Sequence, residues 1–168
     1  MIRREFNKQV CGYTLMELLL VIVALLFLLL VVVPHYFGTT RRANEAAAIK
    51  SVEDIAQAEM QYKAAYPALG YSCSLAALGG DPRTGPPSVA AAQFLPREEA
   101  SGKKGGYFFS ISDCVPQGTA GSKPIASYKI LAIPLLPGKS GQRGFCGDPS
   151  GAVKADPNGG ANCTQVLQ

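Results

Sequence analysis

The chain has 168 residues, enough for one modest domain with an appendage and too few for two full domains. Its formal charge is +4, but Arg3, Arg4 and Lys8 supply three of the positives, and beyond Gly12 13 basic residues face 11 acidic ones. That near balance argues against a nucleic-acid surface, which needs clustered excess charge. With no Trp, one His and 48% apolar residues concentrated near the N-terminus, the remainder can build only a small core.

Residues 1–12, MIRREFNKQVCG, are short, polar and basic. An apolar run from Leu18 to Val33 follows, interrupted by no charge. With Leu15, Met16, Tyr36 and Phe37 it is long enough to cross a bilayer. Arg3, Arg4 and Lys8 place the N-terminus in the cytoplasm by the positive-inside rule, with Arg41 and Arg42 as a weaker opposing signal. Glu17 is the one acid in this stretch. A charge at the centre of a membrane helix costs about 2.5–3.5 kcal/mol on insertion scales, so Glu17 needs a role. Thr14-x-x-Glu17 forms a capping box, which accounts for Glu17 as a helix start alone.

From 37 to 66 the chain is rich in Ala, Glu, Gln and Lys and continues as a helix. Ile49, Val52, Ile55, Ala56 and Met60 form its expected core stripe, and Glu59 and Lys63 an i,i+4 pair. Pro67 and Gly70 end it near Tyr66. Pro34 removes a helical hydrogen bond and Gly38 softens the next turn, so a kink is expected there.

The segment 67–168 reads as the globular part. Ser88 caps an expected short helix through VAAAQFL, ended by Pro96. YFFSIS (107–112) and SYKILAI (127–133) read as strands, and RGFCG with AVKAD as a hairpin around Asp148-Pro149-Ser150-Gly151. The expected class is α+β: a long N-terminal helix packed on an antiparallel sheet of about four strands.

Cys73, Cys114, Cys146 and Cys163 lie in this part, and none forms a CxxC pair. Behind a membrane segment they suggest two disulfides in an oxidising compartment. Three pairings are possible, and Cys73–Cys114 with Cys146–Cys163 is preferred. The first ties the segment after the long helix to a strand, and the second closes a short loop.

No catalytic set, metal site or cofactor motif emerges. Ser101-x-x-Lys104 stands in a Gly/Lys turn without companion motifs. Asp148, Asp156 and Asn158 suit turns better than a calcium loop, and His35 borders the apolar run. Asn162-Cys163-Thr164 fits a glycosylation sequon around a cysteine expected to be bridged.

Gly12-Tyr13-Thr14-Leu15-Met16-Glu17, placed directly before the apolar run, resembles the processing site of type IV pilins and of type II secretion pseudopilins. The resemblance implies cleavage after Gly12 by a prepilin peptidase and N-methylation of Tyr13, where the family usually has Phe. Glu17, fifth from the cut, would then pair with the Tyr13 amine during assembly. Pro34 matches a proline common at this distance, whereas a glycine inside the run is absent. The implied organisation is a leader over 1–12, a membrane or filament-core helix over 13–36, an amphipathic continuation over 37–66 and a pilin-like globular domain over 67–168. The resemblance implies a prepilin held in the inner membrane and a mature homopolymer at the cell surface, with the assembly machinery and its own copies as partners. A secretion pseudopilin is the alternative within this class. A single-pass, unpolymerised adhesion domain is the alternative outside it, and a secreted enzyme is the least supported.

Overall fold

The computed structural model describes residues 14–118 and 124–167, without the side chains of 31–37. The chain divides at Gly38 into two compact units, Met1–Gly38 and Thr39–Gln168. Helix α1, Leu15–Ala65, is assigned without a break through Pro34 and Gly38. Among the described residues no helix is long and apolar enough to cross a membrane. The expected span over 13–36 includes Tyr13 and the side chains of 31–36, which lie outside the described residues.

In the second unit the helix packs through Ala48, Ser51, Val52, Ile55, Ala58, Glu59 and Tyr62, all buried. These recur at three- and four-residue steps, the spacing of one helical face. The expected stripe is thus partly corrected. Val52 and Ile55 face the core and Ile49 and Ala56 flank it, but Met60 is 53% exposed. In this alanine-rich helix the interior face is chosen by small residues and by two carboxylates, so the large apolar side chains mark its phase poorly. The helix stops before Pro67. Gly70, at φ +77°, lies so close to the Ile125 backbone that a Cβ would collide with its carbonyl oxygen. Here Tyr71 N–H donates to Ile125 O at 3.1 Å and Ile125 N–H to Leu69 O at 2.8 Å, fastening the chain after the helix to the sheet.

Two one-turn helices follow, α2 (Leu75–Leu78) and α3 (Arg97–Ala100). The expected helix after Ser88 does not form. Instead the N–H groups of Ala92, Phe94 and Leu95 donate to the carbonyls of Ala77 and Leu78, which draws the segment out alongside α2.

The sheet has six antiparallel strands in sequential order, two more than expected. They are β1 (Lys103–Lys104), β2 (Tyr107–Pro116), β3 (Ile125–Pro134), β4 (Gly144–Gly147), β5 (Val153–Asp156) and β6 (Gln165–Val166). The two additional strands are two-residue edges, too short to show alternation in sequence. The four expected strands correspond to β2 to β5, including the β4–β5 hairpin, in which Phe145 faces Ala155. Alternation sends Tyr107 and Phe109 of β2 and Tyr128, Ile130 and Ala132 of β3 inward. With Phe145 and Ala155 they cover the helix face. Burying each large apolar side chain is worth about 1.5–3 kcal/mol. Tyr107 also donates from its hydroxyl to Arg143 O at 2.9 Å.

Both preferred cysteine pairs form. Cys73 pairs with Cys114 at a Cα separation of 6.2 Å, and Cys146 with Cys163 at 6.0 Å. Cys114 sits in a β2 irregularity between Ser112 and Val115, beside Asp113 at φ +51°, and Cys73 itself has φ +55°. The disulfide therefore joins two locally irregular segments.

Candidate functional site

The first candidate is the start of α1. Thr14 caps the helix: its Oγ1 accepts from Glu17 N–H at 3.2 Å and its carbonyl from Leu18 N–H at 3.1 Å. One arm of the capping box is thus present. Every residue from 14 to 30 is exposed, and apart from Thr14 and Glu17 all are apolar. A helix apolar on all sides is normally covered, by protein or by lipid. Its single carboxylate stands in the first turn, where the positive end of the helix dipole favours it. Gly12 and Tyr13 lie outside the described residues, as do the side chains of Pro34 and His35. Gly38 is helical, with open space where a Cβ would stand.

The second candidate is where the helix enters the sheet unit. Arg41 Nη1 donates to Gly138 O at 3.3 Å and Asn44 Nδ2 to Ser140 O at 2.9 Å. Glu45 is buried, and its Oε1 accepts from Gln142 N–H at 2.9 Å and Arg143 N–H at 3.2 Å, while Oε2 takes Arg143 Nε at 2.9 Å. Burial pushes this carboxyl up, but the bonds from Gln142 and Arg143 outweigh it and leave its pKa below the usual range. One helical carboxylate thus clamps the β3–β4 loop.

At the other end Glu59, fully buried, accepts from Ser72 N–H at 2.7 Å, Ser72 Oγ at 2.9 Å and Cys73 N–H at 3.2 Å. The expected Glu59–Lys63 pair is therefore replaced. The buried acid serves the disulfide loop, and Lys63 lies 4.5 Å from the Tyr71 ring centroid. Here burial outweighs the hydrogen bonds and raises the pKa. A third buried acid, Glu99, accepts from Ser51 Oγ at 3.1 Å and from Lys104 Nζ. Sequence reasoning missed all three, because a Glu in a polar stretch reads as surface and most of the partners, Gln142 and Arg143 for Glu45, Ser72 and Cys73 for Glu59 and Ser51 for Glu99, lie 13 or more residues away along the chain.

These shifts have opposite consequences for pH. Glu45, with its pKa depressed, contributes stability that is present above the ordinary carboxylate pKa and lost as pH falls through the folded value. Glu59, with its pKa raised, contributes stability that is present below the ordinary pKa and lost as pH rises through the folded value. Thermal melting should therefore peak at mildly acidic pH, and Glu59→Gln should flatten the decline on the neutral side. Parallel pH profiles for wild type and Glu59→Gln would contradict this assignment.

The structure does not join the other residues into a reactive site. Ser101 Oγ donates to Glu98 O at 2.6 Å, while Lys104 is engaged with Glu99, so the S-x-x-K residues do not meet. Asp148 binds Ser150 and Lys154, and Asp156 accepts from the N–H groups of Asn158 and Asn162. Among the described residues no three of His, Cys, Asp and Glu gather as a metal-binding group. A cleft of about 640 Å³ between Gly80–Arg83 and Gln93–Arg97 presents Arg83 and an Arg97–Asp81 pair at 3.4 Å, without a nucleophile beside a base. No family model matches the chain, and neither does any curated protein or solved structure.

Proposed function

We propose that the protein is a structural subunit of a type IV pilus-like filament, made as a membrane-anchored prepilin and polymerised through the N-terminal part of α1. The observation that carries this is the exposed, all-round apolar helix surface of Leu15–Leu30, with Glu17 as its one charge. Such a surface needs lipid before assembly and neighbouring copies afterwards. The sequence supplies the rest: a basic leader, Gly12 at the cut and an aromatic Tyr13 behind it. In this account residues 1–12 are removed, Tyr13 is methylated and the sheet unit faces the filament surface. The protein has no catalytic role and takes no cofactor, and the two disulfides suit an exported domain.

Co-expression with a prepilin peptidase should shorten the chain by its leader, and Gly12→Asp should block the cut. A chain that keeps its length beside an active peptidase would overturn the proposal in favour of an ordinary anchored domain. Pilin and secretion pseudopilin share residues 12–36 in this account, and the pilin is preferred.

A further inference from the structure

We propose that the β3–β4 loop of the sheet unit, with the adjoining helix turn, is a docking surface for an anionic phospholipid membrane. Leu135 and Leu136 are 48% and 59% exposed, side by side at the loop's start. They are held there. Leu135 N–H donates to Gly106 O at 2.9 Å and Leu136 N–H to Ser140 Oγ at 3.0 Å, while Leu136 O accepts from the N–H groups of Lys139 at 3.0 Å and Ser140 at 2.9 Å. Gly138, at φ +79°, closes the turn by donating to Gly141 O at 2.8 Å. Two leucines with their backbone fastened in this way form a fixed apolar tip.

Cations stand on this loop and on the helix turn bonded to it through Arg41 and Asn44. Helix residues 39–45 and loop residues 134–144 carry Arg41, Arg42, Lys139 and Arg143 against one acid, Glu45. Glu45 is buried beneath the loop and already bound to Arg143. The remaining charge is positive, with Arg42 and Lys139 exposed. Apolar side chains flanked by Lys and Arg are the chemistry that enters an anionic headgroup layer. A second copy as occupant would need a matching acidic patch around an apolar hollow. The chain itself favours lipid: it enters this unit at Thr39, directly after the apolar segment and two residues before Arg41. The inference rests on the reading that this apolar segment lies in a membrane before assembly. It would keep the sheet unit seated on the bilayer until assembly lifts it off.

The absence of Trp from the chain gives a clean test. Single tryptophans are placed at Leu136, at Leu26 in the apolar segment, and at Val89 as a control. Val89 O accepts from Tyr62 Oη, 21 residues along α1 from Arg41 and so about 30 Å away along the helix. Each full-length variant is reconstituted into vesicles of phosphatidylcholine with or without phosphatidylglycerol, and quenching by brominated lipid is read.

The expected result is quenching of Leu26→Trp in all vesicles and of Leu136→Trp only with phosphatidylglycerol, with Val89→Trp unquenched. Leu135→Trp should behave as Leu136→Trp does, which guards against a local defect at one position. Adding Arg42→Glu and Lys139→Glu should weaken the Leu136→Trp signal, by about fivefold in surface partitioning for each positive charge lost. Quenching of Leu26→Trp with Leu136→Trp behaving as Val89→Trp would overturn this inference and leave the anchored reading standing. No quenching even of Leu26→Trp would overturn both. Equal quenching of Leu136→Trp in pure phosphatidylcholine would overturn the anionic recognition.

Discussion

Glu17→Ala should leave membrane insertion intact and lower the protein recovered in sheared surface filaments by on the order of a hundredfold. In the chain folded alone Glu17 stands exposed at the first turn, next to its Thr14 cap, and in the proposed membrane-held subunit its loss would make the segment more apolar. In an assembled core the helix surfaces of Leu15–Leu30 would face each other, and the amine freed at Tyr13 would be buried there. An unpaired buried charge is far more costly than the pair, although the pair itself adds little over an apolar substitute. On the proposed reading the carboxylate would therefore act mainly on register, by matching one subunit's Glu17 to an amine at one axial height. Comparing sheared and membrane fractions from the same cells checks this. Equal filament yield from Glu17→Ala would reduce Glu17 to the helix cap that Thr14 already explains.

Reducing both disulfides should unfold the sheet unit. Cys73 and Cys114 are 41 residues apart and Cys146 and Cys163 17 apart. Loop-closure entropy gives about 4 and 3 kcal/mol respectively, within the usual range for such bridges. Together they rival the whole stability of a small domain, about 5–15 kcal/mol. The first bridge should matter more, because Cys73 is also the loop residue whose N–H is held by buried Glu59. Without the bridge Glu59 would keep its partners only while the loop stays in place. Circular dichroism melts of Cys73→Ser/Cys114→Ser and Cys146→Ser/Cys163→Ser should show the larger fall in the first. A reduced protein that melts with the oxidised one would show the core sufficient by itself.

Local sequence carried what depends on neighbours along the chain. The Thr14 cap, the apolar run, the end of α1 before Pro67 and the 148–151 hairpin turn follow from spacing and residue type. The cysteine pairing followed from which segments were expected to meet. What failed depended on distant partners. VAAAQFL has helical composition, yet its N–H groups are taken by Ala77 and Leu78, so it is extended. The two-residue edge strands exist only because β2 and β5 offer them a ladder. Glu45 and Glu59 lie on the buried face because amides 97 and 13 residues away need an acceptor. Hydrophobicity alone points Met60 inward, whereas Ala58, Glu59 and Tyr62 fill the interior and leave it exposed. At the candidate site, the apolar segment and Glu17 were legible, whereas the clamp of Glu45 on the β3–β4 loop was not.

Intact mass and N-terminal peptide mapping of the protein sheared from cell surfaces, without reduction, test filament processing most directly. The expected chain begins at methylated Tyr13, with Cys73, Cys114, Cys146 and Cys163 oxidised. A chain that still begins at Met1 and stays in the membrane fraction would contradict it.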